Sequence, residues 1–267
     1  MTTSPPGSPG TPGSTDWSSI DEIAGVVRTC TNCRLHSGRT NAVPGDGSPV
    51  ASILIIGEGP GFNEDQQGLP FVGRSGKLLD ELLAEVPLSR KDVFITNVVK
   101  CRPPDNRDPL PDEVAACRPY LERQMELINP KVIVTLGRHS YLRFYPDGKI
   151  SRDHGKILRW NDRILFPLYH PAAGLRNPAI KRDLREDVLR LPEALRESLK
   201  IKSATLPEAD EVPGRPEPVG VHQPTAPQAQ TSQANSPEEA NAGGSLSEPV
   251  IGNETTEEKG DRQLGFF

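Results

Sequence analysis

Residues 52–61 read SILIIGEGPG. Ser52–Ile56 is a short apolar run, too short for an ordinary helix and typical of a strand. It lacks alternation of polar and apolar residues, so both faces are expected to be covered, as in a parallel sheet. Gly57 ends the run. Three glycines within Gly57–Gly61 permit a tight turn whose amides a ligand can approach. Pro60 and Gly61 interrupt any G-x-G-x-x-G pattern, and the turn is not a Walker loop.

The same reading extends outward. Asp92–Thr96 (DVFIT), Lys131–Leu136 (KVIVTL) and Arg163–Leu168 (RILFPL) are three more short strands. Ser75–Glu85 carries leucines at helical spacing. Pro111–Ile128 is a helix with Pro111 and Asp112 at its start, Gly137–Phe144 a short helix, and Pro178–Leu199 a closing helix. Four strands separated by helices predict an α/β fold, a three-layer αβα arrangement around a four-stranded parallel sheet. Ligands of such sheets lie beyond the carboxyl ends of the strands. Those ends carry Gly57–Gly61, Asn97, Gly137–His139 and His170-Pro171.

Composition sets the boundaries. Residues 1–16 (MTTSPPGSPGTPGSTD) hold no large apolar side chain beyond Met1, and residues 203–261 hold no aromatic. Neither segment can bury enough apolar surface to offset its ordering entropy, so both are expected to be disordered. The folded domain is then residues 17–202. From Ser203 onward there are 11 acids and three bases, which leaves 28 bases against 25 acids up to Lys202. A mildly basic domain with an acidic tail is compatible with nucleic-acid binding. No apolar run approaches membrane-spanning length, and the N-terminus lacks the pattern of a signal peptide. A cytoplasmic, nucleoid-associated monomer is expected. In that compartment four cysteines read as ligands or reactive thiols rather than disulfides.

Cys30 and Cys33 form a C-x-x-C pair, and Cys101 and Cys117 complete a set of four. Four thiolates suit zinc or a [4Fe–4S] cluster, and the spacing does not decide between them. At the strand ends, Phe71 sits in a Gly/Pro-framed loop and is either core or an aromatic that stacks on a base. Asn97 is either a cap or an amide that reads a pyrimidine edge. His170 is placed to contact a ligand. Arg176, with the basic start of the last helix, suits phosphates.

The segments GEGPGFNEDQQGLPFVGRSGKLLD (57–80), ITNVVKCRPPDNRDP (95–109), ACRPYL (116–121), VTLGRH (134–139) and HPAAGLRNP (170–178) together resemble the bacterial family 4 uracil-DNA glycosylases. The resemblance implies the four-stranded sheet and a [4Fe–4S] cluster on Cys30, Cys33, Cys101 and Cys117. It implies hydrolysis of the N-glycosidic bond of deoxyuridine flipped out of DNA, leaving an abasic site for base excision repair. Phe71 matches the aromatic that stacks on uracil, and Asn97 the amide that pairs with its edge. His170 matches the histidine that stabilises the departing base. Glu64 matches the acid near uracil C5 that excludes thymine's methyl. Gly57, Glu58 and the Gly59 amide line the pocket, with Glu58 near the hydrolytic water. Where relatives carry a wedge leucine, this chain has Gly174, so Leu175 and Arg176 are the expected DNA contacts. DNRDPLP replaces the K-R-R-I-H loop of a covalent DNA-trapping relative, so no covalent trap is expected. A second reading is a catalytically weak nucleic-acid-binding accessory factor tethered to the replication clamp.

The chain ends Gln263-Leu264-Gly265-Phe266-Phe267. Residues 262–267 resemble the short peptide that docks in the bacterial sliding clamp, through Gln263, Leu264, Phe266 and Phe267. The linker before it would reach roughly 40–45 Å as a flexible coil.

Overall fold

The computed structural model describes residues 16–201. Residues 1–15 and 202–267 lie outside the described residues, and with them the acidic segment and the clamp-type peptide.

Six strands form one sheet: β1 (Asp46–Gly47), β2 (Ile53–Gly57), β3 (Phe94–Asn97), β4 (Val132–Leu136), β5 (Leu158–Trp160) and β6 (Arg163–Leu168). Their order is β1-β3-β2-β4-β6-β5. The four expected strands are the central, mutually parallel ones. The expected four-stranded sheet is extended by β1 and β5, which pair antiparallel at the two edges. Both edge strands are too short to show a periodicity, so tertiary pairing alone defines them.

The helices are α1 (Ile20–Thr29), α2 (Phe62–Gln67), α3 (Arg74–Glu85), α4 (Pro111–Ile128), α5 (Arg138–Leu142), α6 (Ile150–Asp153), α7 (Pro171–Arg176), α8 (Pro178–Val188) and α9 (Leu191–Lys200). The expected closing helix is two helices, α8 and α9. Pro192 supplies the break: it has no amide hydrogen, and its ring excludes the carbonyl of Val188, where α8 ends.

Successive strand residues point to opposite faces. Leu54, Ile56, Ile133 and Leu165 pack with Ile23 and Val27 of α1 and Tyr120, Leu121 and Ile128 of α4. Ile53, Ile55, Val134 and Phe166 pack with the leucines of α3 and with Leu184, Val188 and Leu191 of α8 and α9. Two cores on one sheet give the expected three layers. No helix among the described residues is long and apolar enough to cross a membrane.

Candidate active site

Four neighbouring strand ends, in the order β3, β2, β4 and β6, place Asn97, Gly57-Glu58, Gly137–His139 and His170 along one rim. Asn97 is the last residue of β3 and is 1% exposed. Its Oδ1 is buried and has no hydrogen-bond partner among the described residues. Buried polar atoms are rarely left so, and at a strand end such an acceptor is available to a ligand. Gly57 makes room beside it. A Cβ at Gly57 would lie 2.4 Å from Asn97 Oδ1 and 2.6 Å from Phe71 Cζ, so only glycine lets the amide and the ring approach the strand end this closely.

Phe71 is buried and has φ of +53°, the left-handed region that L side chains rarely adopt. Two residues hold it there. Arg90 donates to the carbonyls of Pro70 (3.0 Å) and Phe71, while its Nε meets Asp80 Oδ1 at 2.6 Å. Glu64 accepts from the amides of Gly61 (3.1 Å), Val72 (2.9 Å) and Gly73 (2.8 Å). The Glu64 carboxylate thus ties the two ends of the 61–73 loop together, a bracing contact that the sequence did not reveal. Arg90 was also not foreseen, because an arginine in a connecting loop has no local signature.

His170 caps α7, and its Nδ1 accepts from the Ala172 amide at 3.1 Å. Burial first, and then the Arg176 guanidinium, lower its pKa from 6.5 to about 4 against the opposing Glu64 carboxylate. A neutral imidazole accepting at Nδ1 carries its proton on Nε2. His170 therefore presents a fixed N–H donor, with its ring 5.7 Å from that of Phe71.

Glu58 lies one residue beyond β2. Its Oε2 is 2.7 Å from His139 Nδ1, and His139 Nε2 is 3.1 Å from Asp108 Oδ2. No described residue donates to Glu58 Oε1. In the sequence His139 stands out only as part of the strand-end segment Gly137–His139. Its pairing with Glu58 needs β2 and β4 to be neighbours, which sequence spacing does not express.

The predicted DNA contacts lie on α7. Leu175 and Arg176 are exposed. Gly174 is buried, and a Cβ there would meet Leu184 Cδ1 at 2.9 Å and Lys181 Cα at 3.3 Å. A larger residue at 174 would press into α8 rather than project outward, so Leu175 is the outward-facing apolar side chain of this helix.

All four cysteines line one cavity and are free thiols. Tyr120 Oη donates to Cys30 Sγ at 3.1 Å, Arg39 to Cys101 Sγ at 3.1 Å, and the Lys100 amide to Cys117 Sγ at 3.2 Å. Burial pushes the Cys117 thiol up to about 12. The Lys100 ammonium is fully buried and its pKa is lowered by burial to about 8. It donates to the Asn97 carbonyl (2.8 Å) and to Gln124 Oε1 (2.7 Å), which ties the cysteine cavity to the end of β3.

Comparison with known proteins matches residues 44–191 to the uracil DNA glycosylase superfamily. The chain is 53% identical over 186 residues to a type-4 uracil-DNA glycosylase of Saccharolobus solfataricus, covering 66% of this chain and 86% of that protein. It is 49% identical over 185 residues to the type-4 enzyme of Sulfurisphaera tokodaii, covering 66% and 84%. It is 48% identical over 175 residues to that of Thermotoga maritima, covering 63% and 91%. The matched region holds the whole strand-end rim, and the chain belongs to the type-4 uracil-DNA glycosylases of this superfamily.

Proposed function

We propose that this chain hydrolyses the N-glycosidic bond of deoxyuridine in DNA, releasing uracil, and that the Asn97–Phe71–His170 rim receives the flipped base. The single observation that carries the reading is the buried, unpartnered Asn97 Oδ1, held close to the Phe71 ring over Gly57. Uracil offers N3–H to that oxygen and O4 to the same amide's N–H; cytosine presents the reverse pattern and leaves two buried groups unsatisfied. Phe71 stacks on the base. The Nε2–H of His170 donates to O2, where negative charge gathers as the C1′–N1 bond opens. Glu64, fixed by three amides, forms the wall beside C5 where thymine carries its methyl. Glu58 receives the attacking water at Oε1, and the Gly59 amide borders it. Leu175 and Arg176 meet the duplex, as an apolar wedge and a phosphate contact.

The four cysteines fit a [4Fe–4S] group. All four are free in one cavity, the sulfurs of Cys30, Cys101 and Cys117 receive N–H or O–H donors, and two cationic side chains, Arg39 and Lys100, lie close by. Such surroundings suit an anionic cluster. When bound, the cluster supplies a cross-link between the end of α1, the loop after β3, and α4.

A uracil-containing oligonucleotide, in single-stranded and U·G forms, tests the activity. Wild-type protein is expected to release free uracil and leave alkali-sensitive sites. Asn97→Ala removes about 1–3 kcal/mol of base-edge recognition, so it should slow release roughly tenfold to a hundredfold. Equal product from both proteins would favour the accessory-factor reading. For the C-terminal peptide, the acidic linker and its apolar end support tethering to a bacterial sliding clamp, which raises local concentration at replicating DNA. A peptide of residues 256–267 is expected to bind the clamp, and absence of binding at high micromolar concentration sinks the tether.

A further inference from the structure

We infer that His139 is a positioning residue for hydrolysis: it holds the Glu58 carboxylate so that Oε1 faces the attacking water. The inference rests on the glycosylase reading above and deepens it.

Glu58 is a flexible side chain on a glycine-rich turn, one residue from the pocket floor at Gly57. Left alone, it would sample many rotamers, and freezing them costs entropy. Among the described residues its carboxylate has one partner, His139 Nδ1, at 2.7 Å on Oε2. The opposite ring nitrogen is held in turn, with Nε2 3.1 Å from Asp108 Oδ2 and 3.0 Å from Arg138 Nη2. The imidazole is therefore fixed at both ends, and it stands on the first turn of α5, directly beyond β4. Since β4 pairs with both β2 and β6, Glu58 and His170 approach the site from opposite sides of the strand that carries His139. Glu58, His139 and Asp108 have the donor types of a cation site. The Arg138 guanidinium beside Nε2, 3.6 Å from Asp108, opposes a divalent ion there and favours a hydrogen-bonded chain.

In the step itself, the water oxygen bonds to C1′ and its proton passes to Glu58 Oε1. The C1′–N1 electron pair leaves with uracil, which His170 stabilises at O2. His139 touches none of the reacting atoms. It keeps one carboxylate oxygen occupied, so the other is presented to water as a single acceptor.

The test compares full-length His139→Leu, His139→Asn, Glu58→Gln and the Glu58→Gln/His139→Leu double variant. The readouts are single-turnover uracil release, affinity for uracil DNA and thermal midpoint. His139→Leu keeps bulk and removes the donor. It is expected to slow release about 10- to 100-fold with affinity and thermal midpoint unchanged, as misplacement of a catalytic group does. His139→Asn, whose side-chain N–H falls near the Nδ1 position, should recover most of that rate. In the Glu58→Gln background, adding His139→Leu should have no further effect. Full activity of His139→Leu, an additive double variant, or a rate loss that follows only a fall in thermal midpoint each overturns the inference. Full activity of Glu58→Gln instead overturns the assignment of Glu58 itself.

Discussion

His170→Leu is expected to slow single-turnover uracil release by roughly 10²–10³-fold while affinity for uracil DNA changes little. That range is typical of removing one preorganised donor from a site where negative charge develops. The donor here is fixed before substrate arrives: the Ala172 amide occupies Nδ1 and burial keeps the ring neutral, so Nε2–H faces outward without reorganisation. A neutral ring also sets the pH behaviour. His170 remains unprotonated down to about 4, so it should contribute no activity limb near neutrality. Its folded pKa lies below its ordinary value of 6.5, so the unfolded chain takes up the proton first as pH falls. The associated stability is complete above pH 6.5 and is lost progressively from there down to about 4. Urea unfolding at about pH 7.5 and about pH 5 should show this loss in wild type and a smaller one in His170→Leu. A titration limb near pH 6.5 that vanishes in His170→Leu would show that the histidine is charged in the working enzyme.

Cys117→Ala is expected to cost more than any change on the rim. Cys117 sits in α4 against the sheet core, where burial pushes its thiol up to about 12, so an anionic ligand there is stable only with a metal bound. If the four thiolates hold the proposed [4Fe–4S] cluster, the protein is brown, and loss of one ligand should abolish that colour and release the Cys30–Cys33 segment, which follows α1 directly. That segment would then be held by Asn32 donating to Tyr120 Oη at 3.2 Å, by the Arg34–Asp112 ion pair at 2.9 Å, by buried Leu35, and by the apolar face of α1. Stability should fall by several kcal/mol, a large share of the roughly 5–15 kcal/mol typical of a domain. Hydrogen exchange should locate the loss in α1 and the loop containing Cys33. Unchanged colour and thermal midpoint would remove the cysteines from the ligand set, and a colourless wild type holding zinc would replace the cluster.

The central sheet was legible in the chain because each buried parallel strand is a short apolar run closed by a turn, and the longer helices over Ser75–Glu85 and Pro111–Ile128 carry apolar residues at helical spacing, whereas short helices such as Phe62–Gln67 show no such spacing. Ser52–Ile56 and Pro111–Ile128 needed nothing beyond local pattern, and the segments around Phe71, Asn97, His170 and the cysteines were legible as motifs. The closing helix was misread as continuous because its apolar spacing runs across the break that Pro192 imposes. The edge strands were invisible because two or three residues carry no period. What the sequence by itself determined is which residues lie at strand ends and which thiols form a set of four. What only the tertiary structure decided is how they meet. Glu58 pairs with His139 because β2 lies beside β4, Glu64 braces a loop across nine residues, and Arg90 and Lys100 support Phe71 and Asn97 from behind. These are through-space contacts between elements. Their partners are set by strand order and packing, which no local pattern of residues encodes. The turn SILIIGEGPG sets Gly57 at the end of its strand, but the side chains that gather around it come from three other strands and one loop.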